Sequence, residues 1–250
     1  MRQYEAVEII VKAIIEDGLA ETVYLKGSLA RASEDEYSNI DLYAIVEEEN
    51  LSSFRIKALN YLESYSSILH SRSFKNKIVC VYEVDLIVNL SFHTLTNLTY
   101  EDKLVVIYDP KKYLENYESL PAIYSPEEIG SLVEEMLFTA LEFRKAYLRK
   151  DELYSFSLAG ELLKYLGIII RTKYDEENAR LGFKNFEFEF DEEDIFREIL
   201  KLYKLSSSLE CVKMQLVLLD GYINNMPILL VEHINLDFYA FVKRKIMSID

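Results

Sequence analysis

The chain has no tryptophan, two cysteines, three histidines, four prolines and seven glycines in 250 residues. The missing tryptophan excludes nothing. The two cysteines, Cys80 and Cys211, lie far apart without metal-type spacing, so neither a disulfide framework nor a thiolate zinc site is expected. Both read as buried free thiols. The histidines stand alone: His70 and His233 read as surface or helix-end residues, and His93 as a loop-packing residue. Positive charge is scarce, with 28 Lys+Arg against 43 Asp+Glu and a net charge of −15. Such a field repels an extended polyanion and draws in a small cation, so a nucleic-acid polymer is not an expected partner. No stretch approaches the ~20 apolar residues of a membrane span, and MRQYEAVEII lacks an apolar signal core. No membrane contact and a cytoplasmic location are the resulting expectations. Half the residues are hydrophobic and 13% are aromatic, ample for the core of one large domain or two small ones.

Proline is informative where it clusters. Pro110, Pro121 and Pro126 are three of the four in the chain, which marks a boundary and divides it into 1–124 and 125–250. Before it the pattern is mixed. A helix is predicted over Gln3–Asp17 with Gly18 as its cap, then strands over Thr22–Lys26 and Ile40–Glu47. A helix over Leu51–Ile68 follows, then one long buried strand over Lys77–Leu90 and another strand over Leu104–Tyr108. After the boundary the spacing is helical. Helices are predicted over Pro126–Arg149 and Phe156–Lys173, from an Asp191 cap, from Ser207 or Ser208, and from Asn235 to Ile246. Arg144 and Lys145 fall late in the first of these, where cations suit the end of the helix dipole. The fold class is therefore α+β: a mixed sheet with flanking helices, then an all-α bundle.

Among the few glycines, Gly27 ends an apolar run, where a backbone can approach a ligand with no Cβ in the way. Ser28 adds a hydroxyl and an N–H, and Arg31 a fork of donors; N–H groups at such a turn form an anion-binding concavity. Ten residues separate Ser28 from Asn39, and Asn39 and Asp41, spaced by two, share one strand face. Asp85 sits in the apolar run VYEVDLIVN, where a buried carboxylate is costly unless it faces a polar crevice or a cation.

The motif GSLARASEDEYSNID resembles the signature of the DNA polymerase β-like nucleotidyltransferase superfamily: a Gly-Ser pair, a polar segment, then Asp-hydrophobic-Asp. It is most similar to the small-molecule branch that includes the kanamycin nucleotidyltransferases. The resemblance implies transfer of a nucleotidyl group from a nucleoside triphosphate, ATP by preference, to a hydroxyl of a small molecule, and the chain's negative field would favour a cationic one. It implies Gly27, Ser28 and Arg31 at the phosphates, with Lys184 of the YDEENARLGFK segment beside them. It further implies two Mg²⁺ ions held by Asn39, Asp41 and Asp85, the catalytic carboxylates being Asp41 and Asp85. Asn39 departs from the family pattern, because it is not an acid. The alternatives are a catalytically impaired nucleotide-binding protein and a partner-binding, antitoxin-like protein; a homodimer is left open.

Overall fold

Ala6, Val7, Ile10, Val11 and Ile14 recur at helical spacing, and the computed structural model folds Arg2–Asp17 into helix α1 with these side chains buried. Gly18, at φ 72, ends α1 in the left-handed conformation, its N–H bonded to Ile15 O at 3.1 Å. The structure describes residues 1–120, 123–184, 194–205 and 207–249, with the backbone alone at 194–196. The helix cap expected at Asp191 lies outside the described residues. The chain divides into two units, Met1–Pro121 and Ala122–Asp250. The architecture is α+β, a mixed six-stranded sheet with helices followed by a helical unit.

Strands β1 (Ala20–Lys26), β2 (Ile40–Val46), β3 (Ile68–Phe74), β4 (Lys77–Tyr82), β5 (Leu86–His93) and β6 (Val105–Tyr108) lie in the order β3-β4-β5-β2-β1-β6. Only β2 and β5 run parallel; the other neighbours are antiparallel. One face of the sheet packs Val23, Leu42, Val88, Leu90 and Phe92 against α1 and against Phe54 and Leu62 of α3 (Leu51–Glu63). The opposite face carries Tyr24 and Ile45 under Leu114, with Tyr43, Leu98, Leu104 and Tyr117 beside them.

The single strand expected over Lys77–Leu90 is two strands joined by the turn Glu83-Val84-Asp85. Ile78, Cys80 and Tyr82 point inward before the turn, and Leu86, Val88 and Leu90 after it. A three-residue loop preserves the even-numbered alternation, so the hydrophobic pattern carries no trace of the reversal. Asp85 takes φ 55 at the third loop position, a left-handed conformation that aspartate tolerates, and its N–H bonds Tyr82 O at 3.1 Å. The α3 helix also stops at Glu63, short of the expected Ile68, because Ile68 starts the edge strand β3. That strand escapes a sequence reading because its residues are mostly exposed.

In the second unit, α4 (Pro126–Leu148) begins with a capping box in which Ser125 and Glu128 bond each other's backbone, and with Pro126 in its first turn. It packs on α5 (Glu152–Tyr174), and α6 (Asp194–Tyr203), α7 (Ser208–Ile223), α8 (Ile228–Val231) and α9 (Leu236–Met247) complete the described bundle. Met136, Ala140, Leu162, Leu166, Leu216 and Val242 meet in its core. Gly130 lets α4 approach the residues after α8, since a Cβ there would stand 2.4 Å from His233 O. The expectation that no stretch could span a membrane needs one correction: α5 is long and apolar enough by length and composition. Its Leu158, Leu162, Leu166 and Ile169 are buried in the bundle, as in the core helix of a globular unit.

Arg171 of α5 is 0% exposed. Its guanidinium bonds Asp175 Oδ2 at 2.8 and 3.0 Å, Gly182 O at 3.2 Å and Lys184 O at 2.7 Å, fastening the 175–184 segment to the helix. Replacing it strands those acceptors, so Arg171→Met is expected to lower stability by about 3 kcal/mol in urea unfolding. Lys173→Met, at an exposed site, should stay within about 0.5 kcal/mol. A loss at Arg171 no larger than that control would show that the guanidinium does not hold the segment.

On the second sheet face the Tyr24 hydroxyl lies 2.7 Å from His93 Nε2, while Nδ1 lies 2.8 Å from Thr94 O. Burial lowers the His93 pKa, so folding favours the neutral ring. The associated stability is present above the unfolded histidine value of about 6.5 and is lost as pH falls toward the lower folded value. Urea midpoints taken from about pH 7 to about pH 5 should therefore decline more steeply for the unsubstituted chain than for His93→Gln. Equal slopes would remove His93 as the cause.

Candidate functional site

Strand register assembles one polar row across the second face of the sheet. Lys26 of β1 pairs with Asp41 of β2, and Asp41 pairs with Asn89 of β5. Cross-strand partners share a face, so the three side chains stand side by side. The next row is Tyr24, Tyr43 and Ser91, with the two tyrosine rings stacked at 5.2 Å.

The turn after β1 is the short helix α2 (Gly27–Arg31). Gly27 sits at φ 74, and a Cβ on it would lie 2.5 Å from Asp41 Oδ2. Glycine is thus required twice, by the backbone angle and by the carboxylate beneath the turn. Asn89 Nδ2 donates to Asp41 Oδ1 at 2.9 Å. One oxygen of Asp41 therefore accepts from an amide and the other lies against the turn. Ser28 is half-buried within the turn.

The segment between β5 and β6, and the loop after β6, lie over this row. Lys26 is 7% exposed, and its ammonium donates to Thr99 O at 2.9 Å and Thr99 Oγ1 at 3.1 Å. The Tyr43 and Tyr117 rings flank it at 5.7 and 6.0 Å. Burial lowers the Lys26 pKa, and the neighbouring Asp102 and Glu101 oppose that shift. Arg31 grips both oxygens of Asp102, at 3.0 and 2.9 Å. Tyr117 stacks on Tyr100 at 5.2 Å, and its hydroxyl donates to Asp102 O at 2.6 Å.

The structure brings Gly27, Ser28, Arg31 and Asp41 together. It does not bring Asp85 to them. Asp85 is exposed at the tip of the β4–β5 hairpin, four residues before Asn89, which is about 13 Å along a strand. Arg2 fixes that tip elsewhere, donating to Val84 O at 2.5 Å and Glu36 O at 2.9 Å. Asn39 is exposed just before β2. Lys184 is exposed in the second unit, on the segment fastened by Arg171. Sequence reasoning missed Lys26, Asn89 and Asp102. Asn89 left one signal, a polar side chain alternating with buried Val88 and Leu90.

These residues do not fit a pair of Mg²⁺ ions. Hard divalent ions are held largely by anionic oxygens, and two metals require carboxylates that bridge them. The row supplies one carboxylate, Asp41, already bonded to an amide. Among the described residues no group of three or more His, Cys, Asp or Glu is placed to hold a metal ion.

No family model matches this chain, and no curated protein matches it. Among solved structures, an aminoglycoside 6-adenyltransferase from Bacillus subtilis aligns at 12% identity and TM-score 0.40, covering 98% of this chain and 97% of the other. The STING-associated CdnE c-di-GMP synthase from Capnocytophaga granulosa aligns at 15% identity and TM-score 0.31, covering 98% and 82%. Likenesses with TM-scores below 0.5 do not carry a functional reading, which rests on the chain's own residues.

Proposed function

We propose that this is a nucleotidyltransferase-like protein that binds the phosphates of a nucleotide at Gly27, Ser28 and Arg31 without two-metal nucleotidyl transfer. The observation that carries this reading is the row around Asp41. Asn39 stands two residues before it, and Asn89 faces it in register with an amide donated to its carboxylate. An asparagine at each flanking position leaves one negative charge where metal-assisted transfer needs several. The nucleotide class follows from the resemblance of the Gly27-Ser28 to Asp41 motif. Phosphate recognition then falls to Arg31, whose Nη1 now donates to both oxygens of Asp102 and whose planar fork suits a phosphate.

Calorimetry with a non-hydrolysable ATP analogue, with and without Mg²⁺, tests the reading. Binding is expected with affinities within about threefold of each other in the two conditions, and without pyrophosphate release from ATP over a panel of hydroxyl-bearing acceptors. The double substitution Asn39→Asp with Asn89→Asp should make binding Mg²⁺-dependent. Metal-dependent release by the unsubstituted chain would restore the transferase reading. No nucleotide binding in either condition would remove nucleotide as the ligand.

Asp102 competes for the group a phosphate needs. Removing its charge by Asp102→Asn leaves the backbone oxygen that Tyr117 bonds, and is expected to tighten analogue binding about threefold, the scale of one partly exposed ion pair. Arg31→Gln should weaken binding about tenfold or more. Unchanged affinity in both variants would place the phosphates elsewhere.

A further inference from the structure

A cavity of about 710 Å³ opens at one end of the helical bundle, within the size range of small-molecule sites. Two helices end on it and two begin there. Arg144 and Tyr147 come from the last turns of α4, and Ser248 lies just past α9; Ser155 is in the first turn of α5 and Ser208 opens α7. The positive ends of α5 and α7 offset the negative ends of α4 and α9, so side chains decide which charge the cavity prefers.

Those side chains are cationic. Arg144 and Lys150 line the cavity, and among the described residues neither has an ion-pair partner, although neighbouring Lys145 is paired with Glu142. Arg144 Nε is buried with no acceptor among the described residues. A buried guanidinium N–H left unpaired is costly unless something else supplies the oxygen. Glu152, exposed at the start of α5, is the acidic group on the wall.

Lys150 adds an independent observation. Its N–H bonds Tyr147 O at 2.9 Å, and the Asp151 N–H bonds Ala146 O at 3.0 Å. This pair of bonds defines a helix C-terminus whose left-handed position ordinarily holds glycine. Lys150 occupies that position at φ 61. A lysine there is conformationally unfavourable, which points to a use for its ammonium.

We propose that this cavity is a ligand site separate from the Gly27 turn, taking a small molecule with an apolar or aromatic body and one anionic head. Arg144 and Lys150 meet the head, a phosphate or a carboxylate. Ser155 and Ser208 supply hydroxyls, and Tyr147 and Phe156 cover the body.

The test is a backbone-amide NMR titration of the full chain with phenyl phosphate, with benzoate, and with benzyl alcohol as the uncharged control. Shifts at Ser155, Ser208 and Ile249 are expected with at least one anion, and the stronger of the two identifies the head. Benzyl alcohol should bind about tenfold more weakly. Arg144→Gln should lose about tenfold in affinity. Lys150→Gly should raise the melting temperature while weakening the anion, a pairing that a purely structural lysine would not give. Since Lys150 is exposed, this variant decides the matter if Arg144→Gln fails to fold. No shifts at millimolar anion, shifts confined to residues 27–31, equal binding of benzyl alcohol, or a Lys150→Gly chain that binds the anion undiminished would each overturn the proposal.

Discussion

The contact on which the first unit turns is that between the Asp41 carboxylate and the bare Cα of Gly27. A Cβ at Gly27 would come within 2.5 Å of Asp41 Oδ2, so the turn after β1 closes over β2 only because no side chain intervenes. The same backbone position needs φ 74, which glycine adopts without the penalty other residues meet. With the turn seated, Asp41 is held between it and the Asn89 amide, and the β2–β5 register lines up the polar row. A one-residue slip would exchange Asp41 for Leu42 on this face and drive a carboxylate into the core against α1 and α3. The hydrophobic alternation of β2 therefore fixes where the site lies as firmly as any polar contact does.

The row is then covered by its own chain. Lys26 is drawn under Thr99, and Arg31 is drawn to Asp102, by a segment that buries Leu98, Leu104 and Leu114 against Tyr24 and Ile45. The two polar links differ in cost of release. Lys26 is almost fully buried, so breaking its bonds leaves an ammonium without water, whereas Arg31 and Asp102 are each about one-third exposed. An incoming anion can exchange with Asp102 while the apolar contacts and Lys26 keep the segment in place.

Much of the fold was legible in the sequence because burial and periodicity agree there. The α1 stripe with its Gly18 cap, the Pro126 start of α4, the opening of α7 at Ser207 or Ser208, and the Asn235 cap all follow from local chemistry. The β4–β5 reversal was not legible. Tyr82 and Leu86 are both buried and four residues apart, so a three-residue loop leaves the alternation unbroken, and Asp85 is a turn residue rather than a mid-strand carboxylate. The residue in register with Asp41 is Asn89, not an acid. The motif drew attention to the Gly27 turn and to Asp41, while the register, which no local pattern encodes, decided what stands beside Asp41.

Two arginines of the helical unit, Arg171 fully buried and Arg144 with a buried Nε, make the cavity's chemistry stand out. Arg171 meets Asp175 and two backbone carbonyls, the arrangement expected when a cation is buried to hold a segment. Arg144, on α4 of the same bundle, has a buried Nε that meets no acceptor among the described residues. A chain with net charge −15 has carboxylates to spare, so an arginine and a lysine without ion-pair partners among the described residues do not reflect a shortage of acids. Pairing either with an acid would stabilise the apo bundle and fill the cavity with protein charge. Leaving both unpaired, with Lys150 in a glycine-favouring conformation, gives up stability at one end of the bundle and retains an opening that suits an anion.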